Sequence, residues 1–512
     1  MPKDEKDEKD EKDAKDAKGD HRKEPIKVSP AATAIGLAIV AALLALPLLD
    51  PLTRARVFTG IIMGGGFALA LAVLGVITLL TGLAVKKRLV ATIGVVVALA
   101  ALPMSFVANW NAQAHLRDTV KIVSAEQEEL PQTGLRAPYL VAERQASSNS
   151  SGTVGDIGAT TYLAGENQYS TLVERRGWLR PGYETVLVQR LELTGQAKGE
   201  RCDFSPEANK RINGFLGNSL KRAIASIDTG LIAKDVDTWG YCSQGVPMIV
   251  VPVTKLVNWF APHDVPAGVV LYNGSTGDLE YRQEVNSGDL PGPAVSISQS
   301  RRVNKSLETL NGNWWTTRIL KSTGISDEPK DEDDTNLGSH SNFSLSYGTE
   351  QFGFFSPFTS RASSRTIDNV AVLDSSHVTA GQDASVALHQ LATPRQSNAA
   401  TADRIKADYS SLSDWATGMT VMEIVPGGEG IWHASIGQKQ NVNYRVQLNA
   451  DGSSCLLTAT GNKLRCSNDA ETGELPEGNG DALVDPSSLS TDELKALHEA
   501  ILEELYQRIP TE

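Results

Sequence analysis

Three long uncharged apolar runs near the N-terminus constrain the fold of this 512-residue chain more than any other feature. The runs occupy residues 31–49, 57–85 and 89–108, and about 20 apolar residues are enough to cross the hydrocarbon core of a bilayer. A cleavable signal peptide has a single apolar core of about 7–15 residues, so it does not explain three full-length runs. The sequence therefore predicts a membrane protein with three transmembrane α-helices.

Basic residues are distributed unequally around the predicted spans. Residues 1–30 form a charged tail, in which residues 3–18 repeat Lys-Asp-Glu and then Lys-Asp-Ala; it has no apolar face, so we expect it to be disordered. This tail contains nine Lys or Arg residues and the connector 86–88 contains three more, whereas the opposite ends of the spans carry four. Because basic loops stay in the cytoplasm, we predict a plasma-membrane protein with a cytoplasmic N-terminus and an extracytoplasmic region after residue 108.

Small residues form a stripe in the second predicted span. Gly60 and Gly64 make a GxxxG pattern that Ala68 continues. Such a stripe lets two helix backbones approach closely. It therefore indicates either packing against another span of the same chain or a homo-oligomer formed through the second span.

The remainder of the chain reads as a large extracytoplasmic α+β region of two modules. The whole chain has a net charge of −13, and the acidic residues are concentrated in this region. Because nucleic acid is bound through basic surfaces, we do not expect it as a partner. The predicted segments are a stalk at 109–138, an α+β module at 139–320, an acidic linker at 321–341, a mostly β module at 342–470, and a flexible segment with a C-terminal helix at 471–512.

The first module contains a predicted helix and a predicted hairpin. Residues 205–230 open with Ser-Pro-Glu, a typical helix start, and then place apolar side chains at three- and four-residue steps. Residues 268–281 read as a strand, an Asn-Gly-Ser-Thr-Gly turn and a second strand. Because neither element has a core alone, we expect Phe215 and Leu216 to be buried between them.

Residues 246–285 resemble the PepSY-type modules of bacterial envelope proteins. The resemblance rests on the β-rich run 246–253 and on Gly-Val-Val-Leu-Tyr-Asn-Gly-Ser-Thr-Gly-Asp-Leu-Glu-Tyr at 268–281, preceded by a helix. It implies a short sheet wrapped on a helix, and a non-catalytic extracytoplasmic module that binds or restrains partners.

Four cysteines lie in the predicted extracytoplasmic region and none in the spans, which is typical of disulfides in an oxidising compartment. Cys455 and Cys466 flank two short strand-like segments, so they could bridge a hairpin, and Cys202 would then pair with Cys242. Metal binding is the alternative. The chain has no CxxC motif and no two histidines at ligand spacing, so we predict no metal site.

Sequence motifs of catalysis are absent. The chain contains no GxSxG, SxxK, HExxH or Walker pattern, and we therefore predict no catalytic or cofactor-binding residues. The serines that could act as nucleophiles are Ser356, Ser363 and Ser364, and the isolated histidines are His377, His389 and His433. In each case an ordinary hydrogen-bonded or surface side chain is the favoured interpretation.

A phenylalanine-rich segment offers one candidate surface. It comprises Phe352, Phe354, Phe355 and Phe358, followed by Arg361 and Arg365. Packing in the core explains the phenylalanines, and a ligand groove, a partner surface or a membrane-facing edge are the alternatives.

The function that these features favour is a non-catalytic one. We expect an integral envelope protein whose exported modules bind or restrain an envelope protein or a cell-wall component, with the lipid bilayer as its other partner. The alternatives are an envelope-facing hydrolase whose active site is assembled only in the fold, and an assembly subunit of a membrane complex.

Overall fold

The computed structural model describes most of the chain between residues 50 and 468. The described residues are 45, 48, 50–124, 130–150, 155–163, 168–177, 179–310, 312, 315–320, 322–327, 343–347, 351–361, 363–428 and 430–468. The charged tail, nearly all of the first predicted span, most of the acidic linker and the C-terminal segment 471–512 lie outside these residues.

Two long apolar helices form an antiparallel pair. Helix α1 (Pro51–Arg56) is capped by the Asp50 carboxylate, which accepts a hydrogen bond from Thr53 N, and it continues through a π-helical turn at Val57–Met63. Helix α2 (Gly64–Ala84) and helix α3 (Arg88–Asp118) follow, and both are long and apolar enough to cross a membrane.

Glycines allow α2 and α3 to pack closely, but they are not the glycines of the GxxxG pattern. A Cβ added at Gly75, Gly82 or Gly94 would lie 2.3–2.4 Å from a backbone nitrogen of the facing helix. Among the described residues, nothing lies within 4 Å of a Cβ at Gly60, and the neighbours of one at Gly64 belong to its own helix. The close α2–α3 contact therefore lies nearer to the 86–88 connector than the predicted GxxxG stripe does.

After α3 the chain forms an α+β region of several sheets. Its elements, in chain order, are β1 (Lys121–Ser124), α4 (Tyr139–Asn149), β2 (Gly155–Leu163), β3 (Gln168–Arg175), β4 (Tyr183–Leu191), β5 (Ala197–Asp203), α5 (Leu220–Ile227), β6 (Leu231–Ala233), β7 (Trp239–Ser243), β8 (Val246–Val257), β9 (His263–Asn273), β10 (Leu279–Arg282), β11 (Glu284–Val285), α6 (Ile297–Leu307), β12 (Ile325–Asp327), β13 (Phe343–Tyr347), β14 (Gln351–Ser360), β15 (Ser363–Asp374), β16 (Val378–Thr379), β17 (Val386–Gln396), α7 (Asn398–Asp408), β18 (Thr420–Gly428), β19 (Ile431–Gln438), β20 (Asn441–Leu448), β21 (Ser454–Thr458) and β22 (Lys463–Cys466).

Four sheets and a small two-stranded ladder organise this region. Sheet A has the order β1-β17-β15-β14-β12, with β13 also paired to β14. Sheet B is the meander β2-β3-β4-β5, and sheet C has the order β10-β9-β8-β6 with β7 paired to β8. Sheet D is the meander β18-β19-β20-β21-β22, and β11 pairs with β16.

The described residues of the segment 109–138, which was predicted to be a stalk, are instead built into the fold: 109–124 and 130–138. Helix α3 continues to Asp118, and β1 then pairs in parallel with β17, with Lys121 opposite Ala387. Further on, the buried Thr133 side chain donates a hydrogen bond to the Pro426 carbonyl at 2.7 Å. Apolar Val123 and small buried residues give this segment a core-facing side that its polar composition masked.

The helix predicted at 205–230 is much shorter in the structure. Only Leu220–Ile227 is α-helical, and its N-cap is Ser219, whose hydroxyl accepts from Arg222 N. Gly214 and Gly217 weaken a helix before that point, and the chain there forms turns and a single 3₁₀ turn. Helix α5 still buries Leu220 and Ile224, so the apolar stripe was predicted over too long a range.

The prediction that Phe215 and Leu216 are buried is wrong. Phe215 is 46% exposed and Leu216 is 55% exposed, because both lie on the turn before α5 and not on its inner face. The helix and sheet C nevertheless share a core, in which Ile224 packs with Ile249 and Val270.

The two predicted modules share a hydrophobic core. One cluster combines Val250 and Val269 of sheet C with Phe354 and Leu373 of sheet A, and Leu116 at the end of α3 belongs to the same cluster. The modules predicted on either side of the linker at 321–341 therefore pack against each other. The same cluster joins the apolar helix pair to the α+β region.

One end of the helix pair carries the contacts to the α+β region. Asp50 forms an ion pair with Arg222 of α5 at 3.0 Å. Phe67, in the first turn of α2, packs its ring 5.6 Å from that of Trp259 and 4.8 Å from that of Phe260. Trp259 and Phe260 form the tip of the β8–β9 hairpin, so this tip lies against the apolar helices.

Candidate functional site

A bulge in β17 opens a groove between sheets A and D. Asn369 of β15 pairs with Gln390 and Ile367 pairs with Arg395, so four residues of β17, 391–394, lie opposite one residue of β15. Pro394 has no N–H to contribute to the ladder, which favours an interruption there. The bulged segment leaves sheet A and forms one wall of the groove.

The groove has a volume of about 430 Å³, within the range of about 300–1,000 Å³ that is usual for small-molecule sites. Sheet D and helix α7 form its other walls. Its apolar lining comprises Leu130, Leu391, Ala392, Pro394, Pro426, Ile431, Trp432, Leu448 and Ala450, and its polar lining comprises His389, Gln390, Thr393, Arg395, Gln396, Thr401, Arg404, Asn449 and Ser453.

Arg395 is held over the indole of Trp432. Its guanidinium carbon lies 4.1 Å from the ring centroid, close enough for a cation–π contact. The guanidinium also donates to Asn398 Oδ1 at 2.5 Å and to Thr401 Oγ1 at 3.4 Å, both in the first turn of α7. These contacts fix one flat cation beside a buried aromatic ring.

Positive charge dominates the electrostatics of the groove. Arg404 is a second cation, which pairs with Asp408 at 3.5 Å and donates to the Gly452 carbonyl. Thr401, in the first turn of α7, lines this end of the groove, and the N-terminus of a helix carries a partial positive charge. Lining residues that the structure describes include no carboxylate, and Glu429 lies outside them. The groove can thus accept an anionic group next to an apolar one.

His389 lies in the floor of the groove, where it is buried between β1 and β15. His433 is partly buried in β19, and this desolvation lowers the pKa of its imidazole, with Arg445 adding to the effect. His377 is an exposed residue that pairs with Asp374 at 3.4 Å. The three histidines thus belong to three different elements: His389 to β17, His433 to β19 and His377 to the segment between β15 and β16.

The phenylalanine-rich segment belongs to the core and does not form a ligand or partner surface. All four phenylalanines of β14 are at most 3% exposed: Phe352, Phe354, Phe355 and Phe358. Both faces of β14 are covered. The hydrophobic cluster that includes α7 covers one face, and the cluster that includes sheet C covers the other.

The polar residues near β14 also have structural partners. Arg361 donates to the Thr317 carbonyl at 2.6 Å and pairs with Glu308 at 3.2 Å. Ser356 is fully buried and accepts a hydrogen bond from Asn304 at 2.7 Å. The side chains of residues 363–365, which include Arg365, lie outside the described residues.

Both predicted cysteine pairs occur in the structure. Cys202 at the end of β5 is bonded to Cys242 in β7, with a Cα–Cα distance of 6.0 Å, and this bond joins sheets B and C. Cys455 and Cys466 face each other on β21 and β22, where they bridge the last hairpin of sheet D.

Two buried arginines and one buried glutamate connect sheets B and D. Arg136 Nη2 lies 2.5 Å from Glu423 Oε1. Arg445 donates to the Ser435 hydroxyl at 2.8 Å and to the Arg136 carbonyl at 2.9 Å, and burial lowers its pKa to about 10. Burial also raises the pKa of the Glu423 carboxyl, and Arg136 opposes that rise. These side chains are bonded within this buried network, so their role is to stabilise the fold.

Sequence reasoning missed one cluster of metal-ligating side chains. His115 of α3, His263 of β9 and Asp383, before β17, place their donor atoms within 4.8 Å of one another. More than a hundred residues separate each from the next, so no local spacing could indicate it. A second group, Glu200 with Cys202 and Cys242, has its sulfurs in a disulfide and is not available to a metal.

Comparison with known proteins gave no match: no family model, no curated protein and no solved structure is similar to this chain.

Proposed function

We propose that this protein is a non-catalytic envelope protein that crosses the plasma membrane three times and binds an anionic envelope partner in the groove between sheets A and D. Its α+β region then lies outside the cell and its N-terminus inside. The observation that carries the proposal is the pairing of Arg395 with Trp432 beside Arg404.

The contacts of the helix pair support this orientation. Asp50 and Phe67, on which the α+β region packs, lie at one end of the pair, whereas the basic connector 86–88 lies at the other. Basic connectors stay on the cytoplasmic side, which would leave the α+β region outside. The two disulfides agree with an oxidising compartment.

The chemistry of the groove supports an anionic partner that also has an apolar part. Two guanidinium groups and a helix N-terminus favour a carboxylate or a phosphate, and Trp432, Leu391 and Leu448 favour an apolar group next to it. Both features occur in acidic segments of envelope proteins and in cell-wall components. A binding or restraining role is also what the PepSY-type resemblance of residues 246–285 implies.

Photo-crosslinking in cells tests the partner. A photoreactive amino acid in place of Ala392, an exposed residue of the groove wall, should give an adduct on irradiation, and Arg395→Gln should remove it. The same amino acid in place of Ala407, which is exposed in the last turn of α7 and outside the groove, is the matched control. An adduct at residue 392 that persists in Arg395→Gln would contradict the proposal, as would equal adducts at both positions.

Reporter fusions test the orientation separately. We expect a fusion at residue 15 to report a cytoplasmic position and a fusion at residue 400 to report an extracytoplasmic one. The reverse result would contradict the orientation without bearing on the groove.

A further inference from the structure

Three side chains meet at the junction between the apolar helix pair and sheet C. His115 lies in the last turn of α3, and His263 is the first residue of β9. Their ring centroids are 4.1 Å apart. Asp383 completes the cluster with its Oδ2 atom 3.4 Å from His115 Nε2, and the three donor atoms lie within 4.8 Å of one another.

The second histidine is held by its surroundings. His263 is buried, and its Nδ1 lies 3.2 Å from the Ala261 carbonyl oxygen. A carbonyl can only accept, so Nδ1 carries the proton and Nε2 keeps a lone pair. Metal-ligating histidines are commonly fixed by such a bond from the other ring nitrogen to a backbone carbonyl.

The loop that carries Asp383 is tied to the same strand. Gly381 N donates to the carbonyl of Pro266, a β9 residue, at 2.9 Å, and Ala380 N donates to the Gln283 carbonyl at 2.8 Å. These bonds hold the backbone just before Asp383 beside β9, close to His263. Two of the three donors are thus fixed to sheet C, and α3 supplies the third.

We propose that His115, His263 and Asp383 bind one divalent transition-metal ion of the Zn²⁺ type. Two imidazoles and one carboxylate form a donor set that suits such ions, with a further position left for water or another ligand. The bound ion would join the last turn of α3 to sheet C. It would thereby fix the angle between the helix pair and the α+β region.

A simple histidine–carboxylate ion pair is the alternative, and the chain contains one for comparison. His377 Nδ1 lies 3.4 Å from Asp374 Oδ2, the same separation as in the His115–Asp383 pair. No second imidazole belongs to that pair among the metal-capable groups of the described residues. His377→Ala is therefore the matched control.

The experiment is a Co²⁺ titration of the full-length protein, purified in detergent with a histidine-free tag and stripped with a chelator. We expect visible absorption bands that saturate at one equivalent and disappear when Zn²⁺ is added in competition. His115→Ala, His263→Ala and Asp383→Asn should each weaken binding by more than about 100-fold, since loss of an outer partner alone weakens it by about 10–100-fold. His377→Ala should bind as tightly as the unchanged protein.

Thermal unfolding keeps the result interpretable if a variant folds poorly. Zn²⁺ should raise the midpoint temperature of the unchanged protein and of His377→Ala, but not that of Asp383→Asn, which preserves side-chain size. Failure of the unchanged protein to bind one equivalent would overturn the proposal, as would equal binding by all the variants.

Discussion

Arg136 and Glu423 form an ion pair in which Nη2 lies 2.5 Å from Oε1, although the two side chains are only 4% and 1% exposed. The pair links the segment before α4 to β18, and the rings of Tyr139 and Tyr162 lie 5.2 and 5.3 Å from the Arg136 guanidinium carbon. A buried charge whose partner is removed has no water to replace it.

We therefore expect Glu423→Gln to lower the free energy of unfolding by about 3–5 kcal/mol. The double variant Arg136→Met with Glu423→Met should recover most of that loss, because it leaves neither charge of the pair behind. Thermal or denaturant unfolding in detergent measures both. Arg201→Ala is the control, since it breaks an exposed pair with Asp203 of similar length, 2.6 Å, and should cost at most about 1 kcal/mol.

The two disulfides should differ in their effect on stability. Cys202 and Cys242 close a loop of 40 residues, and Cys455 and Cys466 close one of 11. If the loss of unfolded-chain entropy dominates, replacing both cysteines by serine should cost about 4 kcal/mol for the longer loop and about 3 kcal/mol for the shorter one. Unfolding of the two double variants tests this order, and a larger loss for the shorter loop would contradict it.

Phe358 and Phe215 should respond oppositely to truncation. Phe358 is fully buried in β14, so Phe358→Ala should cost about 3–5 kcal/mol. Phe215 is about half exposed, and Phe215→Ala should change the free energy of unfolding by about 0.5 kcal/mol at most. Similar losses from both substitutions would mean that the turn before α5 packs differently from the structure described above.

Two glycines of the apolar helices should also differ in their response to substitution by alanine. Gly82→Ala places a methyl group against the backbone of Ala91, so the helices must separate and the midpoint temperature in detergent should fall. Gly60→Ala meets no described atom within 4 Å and should leave that temperature unchanged. If Gly60 instead takes part in a homo-oligomer through the second span, chemical crosslinking of Gly60→Ala in membranes would show a loss of the oligomer.

Trp259 should lie at the bilayer surface, because it packs on Phe67 at the start of α2. In nanodiscs that contain brominated lipids, Trp259→Phe should lower the quenched fraction of tryptophan fluorescence. Trp432→Phe is the control: it removes a buried indole of the α+β region and should raise the quenched fraction. Unchanged quenching in Trp259→Phe would place the β8–β9 tip away from lipid.

The features that the sequence predicted well are local ones. An uncharged run such as 89–108 indicates a long helix by itself, and Cys455 and Cys466 lie close enough in the chain to suggest one hairpin. The helix at 205–230 failed for a related reason: its apolar periodicity was real at Leu220 and Ile224, but the glycines before Ser219 decided where the helix begins.

The candidate sites could not be predicted, because each is assembled from distant segments. Arg395 of β17 meets Trp432 of β19 where sheets A and D face each other, and His115 meets His263 where α3 packs beside β9. The phenylalanines of β14 show the converse case. Core packing was the favoured interpretation of these four aromatic residues and a surface was the alternative, and the strand that carries them is covered on both faces.

The parallel pairing of β1 with β17 has a consequence for the order of events during synthesis. Lys121 cannot pair with Ala387 until the ribosome has added that residue, some 260 residues later. At elongation rates of about 5–20 residues per second, the delay is roughly 13–50 s. Throughout that interval a strand that follows α3 after only two residues lacks its native neighbour, so the nascent chain exposes an unpaired β edge that can pair with another chain.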